Sequence, residues 1–91
     1  MSTPPTQDTL LEFPCDFPLK IMGQATDEFR SLSLGIVTKH FGTLAPECIE
    51  ERASRNGRYL SLTCTVRATS KGQLDAVYMD LTSCRQVLVA L

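Results

Sequence analysis

The chain has 91 residues, of which 43% are hydrophobic and 21% are charged, and its formal net charge is −1. This length and composition are typical of one small globular domain, and the charge gives no overall attraction to nucleic acid or to an anionic membrane. No apolar run approaches the roughly 20 residues that span a bilayer, and the N-terminal residues MSTPPTQDTLLEF lack the basic start and apolar stretch of a signal peptide. We therefore expect a cytoplasmic protein without membrane contacts.

The cysteines argue against a metal site and against disulfides. They stand at positions 15, 48, 64 and 84 without a CxxC pair, and the sequence has a single histidine, His40. Structural zinc sites usually need ligands in closely spaced pairs. The sequence therefore predicts free thiols in a reducing cytosol, with no metal and no cofactor.

The first part of the chain predicts a tail and a strand. Residues 1–9 are polar and rich in Pro and Thr, which is typical of a flexible tail, and a single domain is expected over residues 10–91. Leu19 and Ile21 stand two residues apart and so should share one face of a first strand.

A first helix should follow this strand. Thr26 is a suitable N-cap, because its hydroxyl can accept a bond from a free amide of the first turn. Gly42 is a suitable stop. The positions expected to face the core recur at helical spacing and are Phe29, Leu32, Ile36, Val37 and His40 or Phe41.

The middle of the chain predicts a hairpin. Residues 48–53 have β-compatible side chains but many charges, as an edge strand would. Asn56 and Gly57 accept the positive φ angles of a tight hairpin turn. The second and third strands should therefore be antiparallel neighbours.

The third strand has the clearest alternation of apolar and polar residues. One face is expected to be buried and consists of Leu60, Leu62, Cys64, Val66 and Ala68. The other is expected to be open to solvent and consists of Tyr59, Ser61, Thr63, Thr65 and Arg67. This pattern predicts a sheet that is covered on one side only.

The last part of the chain predicts a helix and a strand. Ser70 and Gln73 have the spacing of a capping box at the start of a second helix. The buried side of this helix should consist of Leu74, Val77, Tyr78 and Leu81. Residues 87–91 are a final β-prone run without proline or charge, and we expect them at an unguarded sheet edge.

The order of these elements is strand, helix, strand, strand, helix, strand. Both helices must cover the same side of the sheet, because the third strand has only one apolar face. Right-handed crossovers then favour one arrangement. We predict the α+β class and a ferredoxin-like βαββαβ sandwich, in which a four-stranded antiparallel sheet of order four, one, three, two has two helices on one face.

Three parts of the sequence also resemble the YbeD-like family of small bacterial proteins. These parts are LLEFPCDFPLKIMGQA, SRNGRYLSLTCTVRATSKGQLDAVYMDL and the hydrophobic final strand, and the resemblance runs from about Leu10 to Leu91. It is loose in the first helix and second strand. The resemblance implies a fold similar to the ACT regulatory domains of amino-acid enzymes, no established biochemical activity, and genes that often neighbour lipoate-assembly genes.

No group of residues predicts catalysis. His40 stands near a helix end without an assignable nucleophile, and no base can be assigned to Cys15. Acylphosphatases share this fold and hold phosphate with an arginine in the first loop, but residues 22–26 contain none. RNA-recognition domains stack bases on aromatic rings of the central strands, whereas Tyr59 is the only ring on the open face of the third strand. We predict a protein that is not an enzyme and does not bind nucleic acid.

Two functional hypotheses remain, and each has a simpler alternative. The first is a small regulatory or protein-interaction domain that docks a partner through its open sheet face, with Lys20, Tyr59, Thr63 and Arg67 as candidate contact residues. The simpler alternative is that this face is only solvated. A related expectation is a homodimer formed through the edge at residues 87–91.

The second hypothesis is a sensor of a small, amino-acid-like ligand, which is similar to the role of ACT domains. Its candidate site is the first strand–helix turn, with Gly23, Gln24, Thr26 and Asp27 as the binding residues. A glycine at this turn would leave the amides of residues 24–27 open to a ligand carboxylate, and Asp27 could meet an ammonium group. The simpler alternative is that Gly23 only lets the chain turn.

Overall fold

The computed structural model describes residues 12–91, so the predicted tail over residues 1–9 lies outside the described residues. The order of strands and helices is the predicted one. A 3-10 turn, Pro46–Cys48, precedes the second strand. The elements are β1 (Cys15–Gln24), α1 (Asp27–Phe41), β2 (Ile49–Ala53), β3 (Tyr59–Ala68), α2 (Lys71–Thr82) and β4 (Val87–Ala90).

The four strands form one sheet of order β2-β3-β1-β4. Each neighbouring pair is antiparallel. This is the predicted order of four, one, three, two, and the ferredoxin-like arrangement is confirmed. None of the helices within residues 12–91 is long and apolar enough to cross a membrane.

The core lies between one face of the sheet and the two helices. All five apolar residues of the predicted buried face of β3 are at most 7% exposed, which confirms the register of this strand. The other buried apolar side chains come from β1 and both helices and are Leu19, Ile21, Phe29, Val37, Leu74, Val77 and Leu81. Because each large apolar side chain contributes roughly 1.5–3 kcal/mol on burial, this layer supplies most of the favourable free energy of folding.

Both predicted helix caps are present. The Thr26 hydroxyl oxygen accepts a hydrogen bond from the Phe29 amide at 3.0 Å, and the Ser70 hydroxyl oxygen accepts one from the Gln73 amide at 3.1 Å. The Gln73 side chain reaches back to the amide of Thr69, at 2.8 Å. The capping box is therefore closed one residue earlier than its usual pattern, which uses the amide of the cap residue itself.

The β2–β3 hairpin has a wider loop than predicted. Its antiparallel pairing is confirmed, but only Gly57 has a positive φ, of 73°, and Asn56 does not. Asn56 instead accepts a hydrogen bond from the Arg58 amide through its side-chain oxygen, at 3.0 Å, and the Ser54 hydroxyl accepts one from the Tyr59 amide at 3.0 Å. These side-chain acceptors satisfy the loop backbone, so the tight two-residue turn is not needed.

The buried side of α1 differs from the prediction at one position. Leu32 is 40% exposed, whereas its neighbour Ser33 is fully buried. The residues that face the sheet are Phe29, Ser33 and Val37, each four positions apart. The hydrophobic pattern favoured Leu32, but Phe29 and Val37 determine which side of the helix faces the sheet. Ser33 lies between them on that side and is therefore buried.

Candidate functional site

Gly23 is a residue of β1 rather than a turn residue. A Cβ atom at this position would lie 2.5 Å from the carbonyl oxygen of Gln86 and closer still to the ring of Phe29. The pairing of β1 with β4 is irregular at the same place. Gly23 also lacks a positive φ, which among the described glycines occurs only at Gly42 and Gly57. The glycine therefore permits a close approach of helix and strand, and the simpler interpretation of Gly23 as a turn residue is wrong.

The amides next to Gly23 are mostly occupied. The Ala25 amide donates to the carbonyl oxygen of Arg58 at 3.0 Å, and the Thr26 amide donates to the carbonyl oxygen of Gln24 at 2.8 Å. The expectation that the amides of residues 24–27 are all open is therefore wrong for these two residues. Asp27 and Glu28 stand in the first helical turn, where helix geometry supplies no intrahelical acceptor for the amide.

A depression of about 250 Å³, which we call the turn hollow, lies beside this helix start. Its lining consists of Gln24, Thr26, Glu28, Phe29, Arg85, Gln86 and Leu88. The structure therefore brings together two of the four predicted binding residues, Gln24 and Thr26. Gly23 is buried beneath the helix start, and Asp27 is fully exposed and lies 3.6 Å from Arg30.

Arg85 was not among the residues predicted for this turn. It lies two residues before the start of β4, far from Thr26 in the sequence. The pairing of Gly23 with Val87 brings the start of β4 to the end of β1. The predicted strand order contained this signal, because strand four is next to strand one and antiparallel to it.

The predicted interaction residues lie on the open face of the sheet but do not form one cluster. Lys20 and Thr63 are directly opposite each other on β1 and β3. Tyr59 and Arg67 lie at opposite ends of β3. Arg67 is within 3.3 Å of Asp16, so its charge is partly neutralised.

The open face also carries apolar side chains. Met22 pairs with Val89 of β4, and Leu91 exchanges two backbone hydrogen bonds with Lys20, at 3.0 and 2.7 Å. We call Met22, Tyr59, Val89 and Leu91 the apolar patch, and their exposed fractions are 42%, 38%, 43% and 68%. Sequence reasoning described this face as polar because it considered mainly β3 and did not place the side chains of β4 beside Met22.

Two adjoining depressions on the open face form what we call the face groove. The apolar half has a volume of about 320 Å³ and is lined by Met22, Arg52, Ala53, Ser54, Tyr59, Leu60 and Ser61. The charged half has a volume of about 210 Å³ and is lined by Lys20, Glu50, Arg52, Ser61 and Thr63. Arg52 and Ser61 line both halves, so the groove is continuous.

His40 connects the two helices. Its Nε2 atom lies 2.6 Å from Oδ2 of Asp80, and the Lys39 ammonium lies 2.9 Å from the same oxygen. The hydrogen bond with His40, followed by the one with Lys39, lowers the pKa of Asp80. This contact joins the end of α1 to α2, which agrees with a structural role for His40.

The cysteines carry free thiols. Cys64 is fully buried, and burial raises the pKa of its thiol to about 11, so this side chain is protonated at neutral pH and packs as part of the core. Within residues 12–91, no group of three or more His, Cys, Asp or Glu side chains could hold a metal ion.

The fold and the open face define a small α+β domain of ferredoxin-like arrangement. The chain is similar to the solution structure of protein HP0495 from H. pylori, with a TM-score of 0.71 and 14% sequence identity over 99% of this chain and 90% of that chain. At this identity the likeness establishes the fold alone.

Sequence comparison gives the family. The family model described as "Protein of unknown function (DUF493)" matches residues 8–91. A UPF0250 protein of Nitrosomonas europaea is 49% identical, over 84% of this chain and 87% of that protein. A UPF0250 protein of Paraburkholderia phytofirmans is 44% identical, over 92% of this chain and 94% of that protein. The chain belongs to the DUF493 family, and the resemblance to the YbeD-like proteins is confirmed.

Proposed function

We propose that this protein is a cytoplasmic, non-catalytic interaction domain with a regulatory role, and that a partner protein docks on its open sheet face. The observation that carries the proposal is the apolar patch. Its side chains are between 38% and 68% exposed, and two of them, Met22 and Tyr59, line the face groove. Large apolar side chains gathered beside a groove are typical of protein-interaction sites.

The composition of the open face supports docking over simple solvation. Tyr, Met and Arg are enriched in protein interfaces, where aromatic and Arg side chains often carry much of the binding energy. Tyr59, Met22 and Arg52 line the same half of the face groove. A face that was only solvated would not require these side chains together.

Affinity capture with matched variants tests the proposal. The wild-type protein and two variants are immobilised and exposed to an extract of the source organism. One variant, Met22→Ser with Val89→Thr, changes the apolar patch. The control, Met79→Ser, removes a 70% exposed methionine from α2. Thermal unfolding verifies that all three proteins are folded.

We expect a partner that the wild type and the Met79→Ser control retain and that the patch variant loses. A partner retained equally by all three proteins would contradict docking on the open face. Failure of the wild type to retain any protein would also count against the proposal.

A second candidate function is the sensing of an amino-acid-like ligand in the turn hollow. The observation that favours it is the pair of opposite charges in the lining, Glu28 and Arg85. Arg85 could meet a ligand carboxylate and Glu28 could meet its ammonium group, whereas Asp27, the residue first considered for the ammonium, is not in the lining.

NMR titration tests this second candidate. Amides of residues 22–28 are followed while a panel of amino acids is added to the wild type and to Arg85→Ala. We expect one amino acid to shift this segment in the wild type and to shift it much less in the variant. No movement with any amino acid would eliminate the sensor.

Homodimerisation stays a prediction. β4 lies at the edge of the sheet, as expected, and an unguarded edge strand can pair with a second copy. Analytical ultracentrifugation at high micromolar concentration should detect a dimer, and a sample that contains only monomer would contradict it.

A further inference from the structure

We infer that the face groove binds an acidic segment of the partner protein, in which an apolar side chain stands close to a carboxylate. The inference rests on the proposed function, because it names the kind of partner that the same open face accepts. It depends on two features of the groove, namely its charges and the position of its apolar half.

The charged half of the groove contains basic side chains that form no ion pair among the described residues. Lys20 and Arg52 line it, and Glu50 is the only carboxylate in the lining. Within residues 12–91, neither Lys20 nor Arg52 forms an ion pair with either a neighbouring strand or a helix. A carboxylate from a partner could approach both cations.

Some of the other basic residues of the domain are paired, whereas Arg55, Arg58 and Arg85 form no ion pair within residues 12–91. Arg30 lies 2.9 Å from Glu51, Lys39 lies 2.9 Å from Asp80, and Arg67 lies 3.3 Å from Asp16. Because Lys20 and Arg52 form no such pair, positive charge is available at the groove, although the net charge of the chain is −1.

The hairpin loop next to the groove adds further positive charge. Arg55 and Arg58 are both exposed, and the loop contributes Ser54 to the lining of the apolar half. Clustered charges of one sign raise the association rate of an oppositely charged partner and select against a like-charged one. The charge around the groove therefore favours an acidic segment.

The apolar half determines what else the segment must carry. Met22 and Tyr59 line this half, and Arg52 lies at its junction with the charged half. On β1, Met22 and Lys20 are two residues apart and lie on the same face. An extended partner segment has the same period, because side chains at i and i+2 point to one side. The segment should therefore carry Asp or Glu two residues before or after an apolar residue.

Nucleic acid also carries negative charge but fits the groove less well. Single-stranded RNA and DNA are bound largely by stacking successive bases on several aromatic rings. Tyr59 is the single aromatic side chain in the groove lining. The observations therefore favour a peptide, and RNA serves as a separate probe in the test.

The experiment uses soluble peptide libraries of three matched series. Every peptide has an apolar residue at position i, and positions i−2 and i+2 are both Asp or Glu, both Asn or Gln, or both Lys or Arg. We expect the full-length protein to bind the strongest acidic peptides about tenfold more tightly than their amide counterparts, a difference of about 1.4 kcal/mol. NMR shifts should be confined to residues 20–22, 50–53 and 59–63.

Charge-reversal variants give the control. Lys20→Glu and Arg52→Glu should each weaken binding of the acidic peptides by about tenfold or more. Lys71→Glu changes the net charge by the same amount, but Lys71 lies in the first turn of α2, on the helix side of the sheet. This variant should change binding by no more than about twofold.

Several results would overturn the inference. These are equal binding of the three series, no binding by any series, equal effects of Arg52→Glu and Lys71→Glu, or tighter binding of single-stranded RNA than of the acidic peptides. The affinity-capture experiment shows whether only the acidic-segment inference fails or whether docking on the open face fails as well. Capture that needs Met22 and Val89 but tolerates Arg52→Glu overturns the acidic-segment inference and leaves the docking face in place.

Discussion

The two faces of β3 are built from alternating residues of one strand, yet they have different environments. Leu62 is 0% exposed between the sheet and the helices, while the next residue, Thr63, is partly exposed and lines the face groove. The covered face consists of uncharged side chains that fill space, so substitutions there should change stability. The open face holds two cations, Lys20 and Arg52, that form no ion pair among the described residues, together with partly exposed apolar groups, so substitutions there should change binding.

The largest expected effect tests this difference directly. Leu62→Asp places an unpaired carboxylate in the core and should cost about 3–5 kcal/mol of folding free energy, enough to unfold much of a domain of ordinary stability. Thr63→Asp, one residue away, should cost far less because its side chain reaches water. Urea unfolding of both variants measures the difference, and equal losses would contradict the register of β3.

A second comparison concerns the same substitution, glycine to alanine, at two positions. Gly23→Ala should lower stability by about 1–3 kcal/mol, because the added methyl group overlaps Phe29 and the Gln86 carbonyl. Gly35→Ala, in α1, meets nothing within 4 Å and should raise stability by roughly 0.5–1 kcal/mol. Thermal unfolding decides the matter. A shift of the same sign for both would disprove the close contact at Gly23.

A smaller effect is expected at the buried hydroxyl of the covered face. Ser33 Oγ is fully buried and has no hydrogen-bond partner within residues 12–91, so it loses contact with water without compensation. Ser33→Ala should therefore raise stability by about 1 kcal/mol. The midpoint of urea unfolding should move upward, and a clear decrease would indicate that the hydroxyl has a favourable contact.

The smallest effect concerns pH. Contacts with His40 and Lys39 lower the pKa of Asp80 from its ordinary value of 3.8. A carboxyl whose pKa is lower in the folded state contributes stability that is present above about pH 4 and lost as the pH falls through the folded pKa. Asp80→Asn should therefore flatten the acid limb of the stability–pH profile. An unchanged acid limb would indicate that the cluster contributes nothing.

The fold could be predicted from the sequence because the residues that define its strands and helices lie close together in the chain. The alternation of β3 and the caps at Thr26 and Ser70 act within a few residues, and they were predicted correctly. Ser33 was missed because a helix can turn a polar residue inward when its neighbours one turn away are larger and apolar. Pattern alone does not give that rotation.

The candidate sites depend on tertiary contacts, so the sequence indicated them less completely. Gln24 and Thr26 were placed correctly at the first turn, but Arg85 reaches it only through the β1–β4 pairing. Lys20 and Thr63 were correctly placed on one face, but Arg52 was not selected. The second strand gave the weakest pattern, and its register against β3 was needed to put Arg52 beside Ser61.

Two methionines allow the most direct test that the open face is the docking surface. Met22 lies on the open face and Met79 on the exposed side of α2, and their exposed fractions are 42% and 70%. In protein labelled at the methionine methyl groups, addition of the captured partner should shift or broaden the Met22 signal and leave the Met79 signal unchanged. A shift of Met79 with no change at Met22 would contradict docking on the open face.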